Sequence, residues 1–126
     1  MQHFHGKFVI HPLLKRKIPI ICDPTLVKME FGTGAVKVTP GHSFDDFECG
    51  LRNKLELLTI FNQDGSLDET VVGKEFADYN RFSVRQVIVE KLKQLNLYVS
   101  CSDHSMELPV SSRSGDIIEP MVFPQW

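Results

Sequence analysis

Apolar residues recur at steps of three and four between Arg81 and Asn96, with Val84, Val87, Ile88, Leu92 and Leu95 on one side and Arg85, Glu90, Lys91 and Lys93 on the other. That period predicts a helix with one face turned inward. A shorter helix is predicted from Phe44 to about Arg52, because Ser43 is a good N-cap, Asp46 stands three positions on, and acids fill the first turn. Ala35 to Thr39 instead alternates with a period of two, which places Lys37 and Thr39 on one face of a strand and Val36 and Val38 on the other. The valines are expected to anchor this strand in the core, and Pro40-Gly41 to stop it. Further strands are predicted at Ile18 to Cys22, an edge or turn-entered strand because of Pro19 and Asp23-Pro24, and at Leu57 to Phe61 before the turn Gln63-Asp64-Gly65-Ser66. Leu97 to Ser102, Met106 to Ser111 and Ile117 to Val122 complete a strand-rich C-terminal part. Mixed strands with two helices predict an α/β fold bordering on α+β, in which helices cover a sheet.

At 126 residues the chain is expected to form one domain, residues 1–126, long enough to bury a core without staples. A hydrophobic content of 42% with 24% charged residues is ordinary for a globular protein. No apolar run approaches the ~20 residues of a membrane span, so a soluble protein with no membrane partner is expected. The opening Met-Gln-His-Phe-His lacks the pattern of a secretory signal. Three cysteines, Cys22, Cys49 and Cys101, are odd in number and far apart, which argues for reduced, mostly buried thiols rather than disulfides or a zinc site. The five histidines lack ligand spacing, so neither a metal nor any other cofactor is predicted. A net charge of −2 argues against a whole surface that grips nucleic acid. Lys15-Arg16-Lys17 is a compact basic run, as readily a solvated loop as a local backbone contact.

The chemistry concentrates between Phe31 and Glu48, where a glycine-punctuated turn feeds the short strand and then the acidic helix start. Polar groups held at the end of a strand and the mouth of a helix are well placed to bind a small polar ligand. The run Phe31-Gly-Thr-Gly-Ala-Val-Lys-Val-Thr-Pro40, with His42, Asp46-Phe47-Glu48 and Gly50, resembles the editing domain inserted in valyl-tRNA synthetases. Val9-Ile10-His11-Pro12 with Ile18-Pro19-Ile20, then Asn80-Arg81-Phe82, and finally Arg113-Ser-Gly-Asp-Ile-Ile-Glu-Pro120 with Gln125-Trp126 follow in the family's order. The resemblance spans nearly the whole chain. Isoleucyl- and leucyl-tRNA synthetases share the glycine-threonine-glycine stretch but resemble the closing segment much less.

The resemblance implies a compact mixed sheet with a barrel-like core and helices, and post-transfer editing: hydrolysis of threonine from the 3′ end of mischarged tRNA(Val). Editing is needed because a hydrophobic pocket rejects a hydroxyl isostere only about a hundredfold, the known figure for valyl enzymes themselves and not one obtained from this chain. By the same resemblance Asp46 is the catalytic carboxylate that pairs with the substrate α-ammonium, and Lys37 and Thr39 line the pocket to orient side chain, ester or water. Phe31, Gly34, His42, Ser43 and Asp45 complete the substrate-binding set. Each has a plainer alternative: Asp46 caps a helix, Thr39 favours β structure, Lys37 faces water, Phe31 packs in the core and His42 satisfies a turn. No nucleophile elbow or Cys/His pair is present, so direct attack by a positioned water is expected rather than a covalent intermediate.

Two departures from the family qualify these expectations. Ser43 stands where the family carries an acid, with Asp45 as a partial substitute. The family's upstream threonine- and arginine-rich segment is not matched, which predicts an incomplete pocket wall and an exposed sheet edge able to pair with another chain. ATP-dependent activation signatures are likewise unmatched and belong to the full-length enzyme, whose remaining chain is an expected partner. The alternative to an active editing domain is a catalytically incomplete fragment that folds or weakly binds the tRNA acceptor end. A small-molecule binding domain has no specific feature in its favour. The expected location is cytoplasmic, with a mitochondrial one left open.

Overall fold

The computed structural model describes every residue except Met1, Phe31, His104 and Trp126, and of Gln2 the backbone alone. The chain divides into two compact units, one formed by residues 6–20 and 60–102 and the other by residues 1–5, 21–59 and 103–126.

The first unit holds a two-stranded antiparallel sheet, β1 (Phe8–Ile10) against β2 (Lys17–Pro19), with Val9 opposite Ile18. His11 builds the connecting turn: its Nδ1 accepts hydrogen bonds from the Leu13 and Leu14 amides at 3.2 and 3.1 Å. Burial, then the charges of Arg16 and Lys15, lower the His11 pKa and keep that nitrogen an acceptor. Lys15 and Arg16 therefore belong to a hairpin turn, the loop alternative for that basic run.

Helices α2 (Glu69–Val72), α3 (Lys74–Ala77) and α4 (Ser83–Gln94) follow. Asp68 caps α2, and Gly73, at φ 81°, ends α2 and opens α3 in a conformation that a side chain would strain. The predicted inward face of α4 is largely the observed one. Val84 is buried with Leu67, Val72 and Phe76, and Val87 and Ile88 pack against that cluster together with Leu13, Leu14, Ile60 and Phe61. Each fully buried side chain of this kind contributes about 1.5–3 kcal/mol. Leu95, at the end of the helix, is exposed.

Among the described residues, the second unit contains α1 (Phe44–Asn53), a 3₁₀ turn at Gln2–Phe4 and the isolated bridge Val110–Ile117, the rest being irregular. The sequence predicted helix Phe44 to about Arg52, so α1 agrees to within a residue. Ser43, in extended conformation, accepts the Asp46 amide, and Lys54 in the left-handed region closes the far end. Glycines permit two close approaches here. A Cβ on Gly41 would lie 2.3 Å from the Leu58 carbonyl oxygen, and one on Gly50 would lie 2.8 Å from the Pro40 Cβ.

Several sequence expectations are corrected. Among the described residues, 35–39 and 97–102 form no strand, while 57–61, 106–111 and 117–122 contribute only the isolated bridges Phe61–Leu67 and Val110–Ile117. Of Ile18–Cys22, only Ile18 and Pro19 lie in β2. Alternation disposes side chains on two sides, but a strand also needs a hydrogen-bonded neighbour, and these segments have none beyond the bridges. The described residues hold helices and one small antiparallel sheet; the mixed, barrel-like core is not shown. Val36 is 57% exposed and does not anchor the core, whereas Val38 is half-buried. Cys22 and Cys101 are exposed, and Cys49 alone of the three cysteines is buried. No helix among the described residues is long and apolar enough to cross a membrane.

Candidate active site

Four of the predicted site residues form one hydrogen-bonded chain at the N-terminus of α1. Lys37 Nζ donates to Thr39 Oγ1 at 2.7 Å, which is the contact expected for side chains two residues apart on one side of the backbone. The Thr39 amide in turn donates to Asp46 Oδ2 at 2.7 Å. Asp46 then gives its own amide to Ser43 Oγ at 3.5 Å. The helix cap and the polar pair are thus one construction: the first-turn residue whose amide Ser43 caps also carries the carboxylate that fixes Thr39.

Asp46 is half-buried, and among the described residues its Oδ1 accepts no hydrogen bond, so one oxygen anchors the loop while the other stays open. Lys37 is exposed and spends one of its three ammonium protons on Thr39. Cation, hydroxyl and carboxylate stand in sequence. The arrangement can pair with an ammonium at Asp46 and donate hydrogen bonds to an ester or a water from Lys37 and Thr39.

His42 follows Gly41 in the turn, where its amide donates to the Thr39 carbonyl at 3.1 Å. Its ring is buried, with a side-chain exposure of 5%, and Nδ1 lies 3.0 Å from the Pro120 carbonyl oxygen and 3.8 Å from Glu119. A carbonyl only accepts, so Nδ1 carries the proton in this contact. His42 ties the closing segment to the turn that supports Thr39. Asp45 is not brought into the hydrogen-bonded chain. It lines a separate recess of about 230 Å³ with Thr25, Leu26, Glu48 and Arg52. Gly34, at φ 69°, lies in the turn before Lys37, and Phe31 is outside the described residues.

Sequence reasoning missed the brace behind α1. Asp23 is buried, and its Oδ1 accepts the amides of Thr25 and Leu26 at 2.9 and 3.0 Å. Its Oδ2 accepts Arg52 Nε and Nη2 at 3.2 and 3.0 Å and Asn53 Nδ2 at 2.8 Å. The backbone donor Leu26 first, and then the Arg52, Cys49 and Asn53 side chains, hold this carboxyl far below the usual carboxylate range despite partial desolvation. Asp-Pro-Thr-Leu does signal a turn closed by its own aspartate, but nothing local announces a partner 29 residues away. Burial, followed by the neighbouring Asp23, raises the Cys49 thiol pKa, which keeps it protonated and unreactive. No cluster of three or more metal-ligating side chains occurs among the described residues.

A family model described as the editing domain of leucyl-tRNA synthetase matches residues 2–84, and the chain belongs to that editing-domain family. Within it, the chain is similar over nearly its whole length to valine–tRNA ligases. It is 52% identical over 125 residues to the mitochondrial valine–tRNA ligase of Saccharomyces cerevisiae and 50% identical to the valine–tRNA ligase of Schizosaccharomyces pombe, covering 99% of this chain in each case. Over the same length it is 42% identical to the human valine–tRNA ligase. The chain spans only 11%, 13% and 10% of these three relatives. The leucyl-type model stops at residue 84 whereas the valine enzymes align through the closing segment as well, in keeping with the distinction drawn from residues 113–126.

Proposed function

We propose that the chain is the post-transfer editing domain of a valine–tRNA ligase, hydrolysing threonine from the 3′ end of mischarged tRNA(Val). The observation that carries this reading is the hydrogen-bonded chain from Lys37 through Thr39 to Asp46, with one carboxylate oxygen left open. The positive end of the α1 dipole lies at the Asp46 carboxylate, and the free oxygen pairs with the substrate α-ammonium. Lys37 and Thr39 orient the ester and the attacking water, so proximity does much of the work. Water adds to the ester carbonyl, the bond to the terminal ribose oxygen breaks, and threonine and a free 3′ hydroxyl result. Valine lacks the hydroxyl for which the site's polar groups are built, and leaving those groups unpaired disfavours it.

Ser43, Asp45, Gly34, His42 and Phe31 complete the substrate-binding set in this reading, with His42 acting through the turn it secures. Residues 1–126 form one editing domain with a barrel-like core in the assembled enzyme, and the rest of the synthetase chain is its partner. Two of the cited relatives differ in that one is named as mitochondrial and the other carries no such designation, and a cytoplasmic site of action is proposed here. The test is deacylation of threonyl-tRNA(Val) by this chain and by Asp46→Ala. Hydrolysis that vanishes in the variant supports the reading. Hydrolysis that persists in Asp46→Ala overturns the assignment of Asp46, and tRNA binding without hydrolysis identifies an incomplete fragment.

A further inference from the structure

The sheet has the order β1–β2, and among the described residues no third strand stands beside β1. Its three side chains are open to solvent, Phe8 at 60%, Val9 at 48% and Ile10 at 55% exposure. The Ile20 amide donates to the Lys7 carbonyl and the His11 amide to the Arg16 carbonyl, each at 2.8 Å, so the odd-numbered positions turn their main-chain groups toward β2. Alternation then directs the N–H and C=O of Phe8 and Ile10 away from β2. Among the described residues, no hydrogen bond from another part of the chain reaches these four groups.

The two edges of the sheet are unlike. On β2, Pro19 stands opposite Phe8 and the exposed Lys17 opposite Ile10, so the outer edge there lacks one N–H and carries a charge, both of which discourage further pairing. β1 has neither device. Two strands alone are marginal, and further strands stabilise them. The open edge is also self-complementary. An antiparallel partner of the same sequence centred on Val9 sets Phe8 against Ile10 of the second copy and Ile10 against its Phe8, which satisfies all four outward groups of each copy. Centring on Ile10 would set Phe8 against Pro12, which has no N–H, and centring on Phe8 would carry Ile10 against Gly6, beyond β1. The Val9 register also runs an apolar row, Ile18, Val9, Val9 and Ile18, across four strands. In it Lys7 falls opposite His11, whose Nδ1 accepts from two amides and whose pKa is lowered by burial and then by Arg16 and Lys15, so two cations do not meet.

The geometry points to a two-fold dimer of this chain, in which the β1 edges of two copies pair antiparallel about Val9 and make one four-stranded sheet in the order β2–β1–β1–β2. The interface is isologous: each copy spends its β1 edge and leaves the blunted β2 edge outside, so growth stops at two. The inference stands on the sheet itself and does not depend on the proposed editing reaction.

The experiment is sedimentation equilibrium of the chain from about 10 µM to about 1 mM, for the parent, Val9→Lys, Val9→Glu, Ile10→Pro and the control Val99→Lys, with circular-dichroism melts to verify folding. The parent is expected to approach twice the monomer mass as concentration rises. Val9→Lys sets two positive charges at the two-fold centre and Val9→Glu two negative ones; each is expected to weaken association about tenfold, and an equimolar mixture of the two is expected to recover it. Ile10→Pro removes an outward N–H without touching a β1–β2 hydrogen bond and is expected to weaken association by about tenfold or more, since two bonds are lost per dimer. Val99→Lys, at a residue 93% exposed outside the sheet, is expected to change nothing. Monomer mass throughout, a mass that grows past the dimer, equal effects of Val99→Lys and Val9→Lys, or a mixture no tighter than Val9→Lys alone overturns the inference. So does protection of the Phe8 and Ile10 amides from hydrogen exchange at a dilution where the chain is monomeric, because the edge would then be covered from within its own chain.

Discussion

Replacing Gly41 with alanine tests whether the turn beneath the candidate site is as tightly set as the structure shows. The added Cβ would stand 2.3 Å from the Leu58 carbonyl oxygen and 3.0 Å from its carbon. Both obstructing atoms are backbone, so no rotamer change relieves the clash and the chain itself has to move. Overpacking of this kind costs about 1–3 kcal/mol, and for a chain of this length each kcal/mol lowers the melting temperature by roughly 3–5 °C. A fall of about 3–15 °C is therefore expected in circular-dichroism melts. The displacement also reaches the site, because Gly41 separates Pro40, packed against Gly50, from His42, whose amide holds the Thr39 carbonyl at 3.1 Å. Deacylation measured well below the melting transition should fall with stability. Gly41→Ala melting within about 1 °C of the parent would show that this close approach is not kept in solution, and the account of how Thr39 is positioned would fail with it.

Asp46 separates anchoring from chemistry. Asp46→Ala removes the acceptor for the Thr39 amide and is expected to destabilise by about 1.5–3 kcal/mol. Asp46→Asn keeps an oxygen there and loses about 0.3–1 kcal/mol of charge–dipole attraction; both are expected to abolish the proposed hydrolysis, and an active Asp46→Asn would refute the ammonium pairing. The lowered pKa of Asp23 predicts an acid-dependent contribution to stability: it is complete above the ordinary aspartate pKa of about 4 and is lost as pH falls through the lower folded value. Asp23→Asn should therefore be less stable than the parent at pH 6, with a gap that narrows toward pH 2.5; a constant gap in melts across that range would refute the ionic brace. In thiol labelling of the native protein, Cys22 and Cys101 should react and Cys49 should not until denaturant is added, since only Cys49 is buried and protonated by its surroundings. Three reactive thiols in native buffer would contradict this.

What was legible in the sequence was local. Ser43 and Asp46 announce the start of α1 because a cap is built from residues three apart. The apolar period of α4 survives because Val84, Val87 and Ile88 face a core drawn largely from the same stretch of chain. The meeting of Lys37 with Thr39 follows from a spacing of two. The missing strands failed on the opposite ground, since alternation in 35–39 names two sides but neither supplies a partner nor says which side is inward; Val36 turned out exposed. The Asp23–Arg52 brace spans 29 residues and the His42–Pro120 contact spans 78, and no periodicity encodes either.

The two readings of Asp46 that the sequence sets against each other, helix start or substrate contact, are not rivals in the folded chain. Ser43 satisfies the Asp46 amide, which leaves the Asp46 carboxylate unneeded as the cap of its own helix. Its Oδ2 is then available to hold the Thr39 amide, and this draws the Lys37–Thr39 pair onto the positive end of α1. A carboxylate bound by one oxygen in that field is fixed in direction without being fully satisfied, which is the condition for recognising a cation at a set distance from a hydroxyl and an ammonium. The same economy divides the work at the helix mouth: the Ser43 hydroxyl supplies the cap, and the negative charge there is carried by Asp45 and Asp46 within the first turn.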